Sequence, residues 1–130
     1  MKTIKQSVYF NATPNEVYEL LMDSKKHAAF TGSKAKISRK NNGAFEAYGG
    51  WLQGKNLKIV KDKKIMQLWR GKSWPKDHFS KAEFKFVKKG KGCKLTFTQT
   101  MVPDEVYSDI NKGWKSHYWK KMKAYLKKHN

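Results

Sequence analysis

The chain reads as a single α+β domain in which a curved antiparallel sheet of about six or seven strands wraps a long C-terminal helix. Three observations carry that reading. Residues 34–101 fall into short alternating runs cut by glycine and charged turns, the pattern of an antiparallel meander. After Pro103 the apolar residues recur at helical spacing for the rest of the chain. Only two short helical signals, just after the first strand, interrupt this order, and 130 residues are enough for one core and too few for two.

Residues 3–11 alternate, with Ile4, Gln6, Val8 and Phe10 on one side and Lys5, Ser7, Tyr9 and Asn11 on the other, as a half-buried strand requires. Thr13-Pro14-Asn15-Glu16 then supplies an N-cap, a proline at the first helical position and a glutamate placed for a capping box. Together they open a helix through Met22. Ser24 is placed to cap a second short helix that reaches Phe30 and ends at Gly32. Asn42-Gly43, Gly49-Gly50, Lys61-Asp62-Lys63 and Lys89-Gly90-Lys91-Gly92 mark turns or bends, which divide Lys34 to Met101 into about six strands.

In the last two strands Ala82, Phe84 and Phe86, then Cys93, Leu95, Phe97 and Met101, define the inner face, so Cys93 is expected as a small buried hydrophobe. Beyond Pro103, Val106, Ile110, Trp114, Tyr118, Met122 and Tyr125 form one helical stripe. Asp104, Glu105 and Asp109 precede it and Lys127 and Lys128 close it, complementing the helix dipole at both ends. Gly113 inside that helix predicts a kink or a close approach to the sheet.

Several functions are excluded by what the residues lack. No run approaches the ~20 apolar residues of a membrane span, and the start turns polar too soon for a signal peptide. No membrane association and a cytoplasmic location are therefore expected. The single Cys93 rules out a disulfide framework and a multi-cysteine zinc site. His27, His78, His117 and His129 lack metal-site spacing, no Ser or Cys sits in a nucleophile motif, and Asp77 and His78 are adjacent and point apart. No catalytic residue, metal ligand or cofactor is expected, and Gly49-Gly50 and Gly54 do not lead into the helix that a phosphate site needs. The net charge of +19 raises nucleic acid as a partner, but only Arg39 and Arg70 of the 29 basic residues are arginines, and the lysines are spread throughout. The charge reads as a solvated lysine-rich surface, which disfavours electrostatic nucleic-acid binding.

Six segments in this order carry a resemblance: His27-Ala28-Ala29-Phe30-Thr31-Gly32, Gly43 through Gly50, Gln67-Leu68-Trp69-Arg70, Trp74 through Ser80, Leu95-Thr96-Phe97-Thr98-Gln99, and Gly113-Trp114 through Tyr118-Trp119. Together they resemble the C-terminal domain of the activators of heat-shock protein 90 ATPase, within the helix-grip group called SRPBCC or START-like, which includes the birch-pollen-allergen proteins. The resemblance covers Ile4 to Leu126 and implies a helix-grip fold. It also implies two activities. In the two-domain activators this domain cooperates with a preceding N-terminal domain, absent from this sequence, in holding and stimulating the chaperone. Chaperone contact is the expectation here, rather than full ATPase stimulation by this chain alone. The wider group uses the space between sheet and helix for apolar ligands.

The expected function is thus that of a non-enzymatic binding domain, a co-chaperone-type or stress-related protein with heat-shock protein 90 as partner. The alternative is a carrier or sensor of a small hydrophobic ligand. For that alternative the candidate cavity lining is Trp51, Trp69, Phe79, Phe97, Trp114 and Tyr118, with Tyr48, Gln67 and Gln99 supplying polar groups; Trp74 and Trp119 are further aromatic candidates. Ordinary core packing is the competing reading of the same rings. The Trp74-Pro75-Lys76-Asp77-His78 connection is the candidate partner surface, through Trp74, Asp77 and His78, and a stiffened structural turn is its alternative.

Overall fold

A computed structural model describes residues 1–75 and 77–129. Seven strands, β1 (Lys2–Phe10), β2 (Lys36–Ile37), β3 (Ala44–Ala47), β4 (Leu52–Val60), β5 (Lys64–Gly71), β6 (Ser80–Lys89) and β7 (Gly92–Val102), form one sheet. Its order is β1-β7-β6-β5-β4-β3-β2 with every pairing antiparallel. Two short helices, α1 (Pro14–Met22) and α2 (Ser24–Thr31), follow β1. The C-terminal helix is continuous through α3 (Tyr107–Gly113), a π-helical stretch (Trp114–Trp119) and α4 (Lys120–His129). This is the α+β helix-grip arrangement, with the sheet's inner face laid on the helix.

The local signals explain the elements. Thr13 Oγ1 accepts from the Glu16 amide at 3.1 Å, and Glu16 Oε1 accepts from the Thr13 amide at 3.0 Å, which closes the capping box that starts α1. Gly32, in the left-handed conformation, ends α2. The cap of α2 is Asp23 rather than Ser24: its carboxylate accepts from the Lys26 amide at 2.9 Å. A carboxylate makes the stronger, charge-assisted cap, and Ser24 Oγ is left to accept from the Ile37 amide instead.

Two expectations about strand and helix geometry are corrected. Met101 does not continue the inner face of β7 but is exposed, and Val102 is buried in its place. The cause is a bulge: the pairing of β1 with β7 slips between Lys2 and Ile4, and Met101 carries a φ of 60°. Gly113 does not approach the sheet, since a Cβ there would meet only His117 of its own helix, at 3.7 Å. It marks instead the start of the π-helical stretch.

That stretch sets the core. In an α-helix residues five apart point in different directions, whereas i→i+5 bonding brings them nearly into line. Trp114 and Trp119 accordingly stack at 5.4 Å with planes 22° apart, and Trp114, Tyr118 and Trp119 are all buried. They rest on Phe97, whose ring lies 4.3 Å from that of Trp114 and 5.5 Å from that of Trp119. Cys93 is fully buried, as its alternation predicts.

Candidate functional site

At one end of the grip, where β4 enters, β5 leaves and α3 begins, the packing opens into a cavity of about 390 Å³. The sheet contributes Leu52 and Trp69, the turn before β4 contributes Tyr48 and Trp51, and the β5–β6 connection contributes Ser73 and Trp74. The helix side is made by Val106, Asp109, Ile110, Gly113 and, in the π-helical stretch, Trp114, His117 and Tyr118. Trp51 is exposed at 38% and stands at the mouth, while Trp69, Trp74, Trp114 and Tyr118 are buried.

Backbone geometry brings these rings together. Tyr48, Gly49 and Gly50 all have positive φ, so the chain turns sharply out of β3 and presents Tyr48 and Trp51 to the helix. A Cβ on Gly71 would lie 2.7 Å from Trp51 and 2.8 Å from Trp74 Nε1, so only glycine lets two indoles close over this strand end. Neighbouring rings are tilted or edge-on: Trp51 and Trp69 at 6.4 Å, Trp69 and Trp74 at 5.1 Å, Trp69 and Trp114 at 5.6 Å. The cavity therefore has aromatic walls in several orientations.

Most polar groups around it are already partnered. The Tyr48 hydroxyl donates to the His117 carbonyl at 2.7 Å, pinning the turn to the helix, and burial pushes its pKa up to about 12, making it a weaker acid. Trp114 Nε1–H donates to Gln99 Oε1, Gln99 Nε2–H to Ser80 Oγ, and Ser80 Oγ–H to the Trp69 carbonyl, at 2.8, 2.7 and 3.0 Å. Gln67 Nε2–H donates to Asn56 Oδ1 at 3.0 Å. Tyr118 meets His27 Nε2 at 3.0 Å, and burial holds His27 down to about 4, so the imidazole is neutral. Burial, with Tyr48 as a smaller contributor, raises Tyr118 well above the ordinary phenol. Among the described residues, His27 Nδ1 and Trp74 Nε1 are buried without a hydrogen-bond partner.

Of the residues expected in a cavity, Tyr48, Trp51, Trp69, Trp74, Trp114 and Tyr118 are brought together in this one. Four are not. Phe79 is 39% exposed, because β6 starts one residue later with Ser80 facing inward. Phe97 lies beneath Trp114 as core, and Gln99 is consumed by the Trp114 and Ser80 bonds. Gln67 borders only a crevice of about 20 Å³ toward α2. Trp119 also packs as core, on Phe10 and Phe97, with Nε1–H donating to Gln6 Oε1 at 2.6 Å.

The partner-surface expectation divides similarly. Trp74 is 3% exposed and forms cavity wall, not surface. Arg70 causes this by donating to the Trp74 and Pro75 carbonyls at 2.7 and 3.3 Å, which folds the connection inward. Asp77 is exposed with a φ of 61°, and His78 is half-buried, its Nε2 2.9 Å from the Met101 carbonyl. Lys76, within the same connection, lies outside the described residues. The lining residues missed by sequence reasoning are Leu52, Ser73, Val106, Asp109, Ile110, Gly113 and His117. For Val106, Ile110 and Gly113 a signal existed, since they share the helical stripe or its break with Trp114.

The fold is that of a helix-grip domain with a cavity between sheet and C-terminal helix. Residues 11–127 match the family described as activator of Hsp90 ATPase homolog 1-like protein, and the chain belongs to that family. It is 30% identical over 123 residues to an activator of 90 kDa heat shock protein ATPase homolog from Dictyostelium discoideum, covering 94% of this chain and 32% of the relative. It is 27% identical over 121 residues to the human activator homolog 1, covering 93% and 35%. The chain thus spans about a third of the length of these relatives. Among solved structures, an HSP90 activator from Plasmodium falciparum superposes with a TM-score of 0.92 at 20% identity, over 97% of this chain and 96% of that one. The Aha1 dimer from Colwellia psychrerythraea gives 0.76 at 15% identity, over 88% and 89%. Among the described residues no helix is long and apolar enough to cross a membrane, and no three His, Cys, Asp or Glu side chains gather as metal ligands.

Proposed function

We propose that this chain is a binding domain for heat-shock protein 90, in a co-chaperone-type cytoplasmic role with no reaction of its own. The observation that carries the reading is the extent of the family match: residues 11–127 take in all but the first strand of the grip, so the likeness is to a whole domain and not to one motif. The relatives named as activators of the chaperone's ATPase align over the same length of this chain. Asp77 and His78, on the outer side of the β5–β6 connection, are the first residues to test as contacts. Sedimentation of the chain with the chaperone from the same organism tests the reading. A faster boundary containing both proteins at low ionic strength is expected, and two independent boundaries would overturn it.

A second reading is favoured by one observation. The cavity of about 390 Å³ exceeds the roughly 300 Å³ at which pockets for drug-sized molecules begin. A small ligand would occupy the space under α3 while the outer surface stays free for the chaperone.

A further inference from the structure

Resting on that second reading, we propose that the cavity takes a small organic ammonium ion, its cationic head among the indole rings and directed to Asp109. The charge pattern of the lining motivates this choice. The protein carries +19 overall, with lysines on nearly every element, yet among the described residues no lysine or arginine lines the cavity. Among the described residues the one formally charged side chain in the lining is a carboxylate, Asp109, which is exposed on the helix side of the cavity. Among the described residues Asp109 makes no ion pair, although basic residues outnumber acidic ones by 29 to 10.

The ring arrangement fits the same chemistry. A cation is attracted to the electron-rich face of an aromatic ring, most strongly to indole, and rings set at angles offer several such faces to one point. Trp69 is tilted 56° from Trp74, 40° from Trp114 and 75° from Trp51. An anionic ligand would face a carboxylate here with no cation of the described lining to balance it. A neutral one would gain nothing from Asp109, whose other role is to complement the dipole at the start of the helix. The scattered lysines oppose the cation only weakly, because exposed charges more than about 8 Å away are screened at physiological ionic strength.

Gly113 supplies the control. It lines the cavity with helical φ and ψ and has room for a Cβ, so Gly113→Leu fills the space from the helix side. The experiment follows the indole N–H resonances of the full chain by NMR. The probes are phenyltrimethylammonium, its neutral isostere tert-butylbenzene, and benzenesulfonate as the anion. The expected result is saturable binding with the ammonium at least about fivefold tighter than its isostere. Asp109→Asn should weaken the ammonium by about two- to fivefold and leave the neutral probe unchanged, the remaining preference being that of the rings, and Gly113→Leu should abolish binding while keeping a cooperative melt. If the neutral or anionic probe binds as tightly as the ammonium and Gly113→Leu blocks it, the cation inference is wrong and the ligand reading stands. If no probe shifts any indole, both fall.

Discussion

The indole of Trp114 donates to Gln99 Oε1 across 2.8 Å with both side chains buried, and this bond ties the π-helical stretch to the middle of β7. Gln99 in turn donates to Ser80, so one amide holds helix, β7 and β6 in register. Gln99→Ala leaves the buried Trp114 Nε1–H without its acceptor and takes one donor from Ser80 Oγ, which keeps its own bond to the Trp69 carbonyl. Each buried group left unpaired costs about 1–3 kcal/mol, so urea unfolding should show a loss of about 2–4 kcal/mol. A loss well under about 1 kcal/mol would mean the relay is not structural.

Acid sensitivity should come from His27. The imidazole titrates near 6.5 when free and near 4 in the folded chain, so between these values the unfolded state holds the extra proton. Stability from this group is complete above pH 6.5 and is lost as pH falls toward 4, by on the order of 3 kcal/mol. His27→Gln keeps a hydrogen-bond partner for Tyr118 and removes the titration. Its unfolding free energy should fall less steeply over that window than the parent's; equal slopes would contradict the assignment.

Two glycines should respond in opposite directions. Gly113 sits in helical conformation with no close neighbour, so Gly113→Ala should stabilise by about 0.5–1 kcal/mol through helix propensity. Gly71→Ala pushes a methyl against Trp51 and Trp74 and should destabilise by about 1–3 kcal/mol. Thermal melts of both variants check the pair, and the account fails if Gly71→Ala is neutral.

What could be read in the chain depended on how local its cause was. The Thr13–Glu16 capping box and the Gly32 stop are set by residues three or four apart, so α1 and the end of α2 were legible. The alternation in β6 and β7 exposed the core face because the pleat itself imposes it. Met101 escaped because the slip that turns it outward is a property of its pairing with β1. Trp119 fell off the expected stripe because i→i+5 bonding is chosen by packing against Phe97 and Gln6, not by helix propensity. Trp74 carried two readings in the sequence, partner surface or aromatic wall, and the choice of wall is made by Arg70 and Gly71, which fold it over the strand end. The cavity is the volume left among these long-range choices, and for that reason its aromatic residues could be nominated while its extent could not.

The central claim is contact with heat-shock protein 90, and calorimetric titration of the intact chain into that chaperone, at low and then at raised ionic strength, tests it most directly. A saturable isotherm that weakens as salt screens the lysine-rich surface is the predicted result. Absence of any binding heat at low ionic strength, with both proteins folded, would contradict the account.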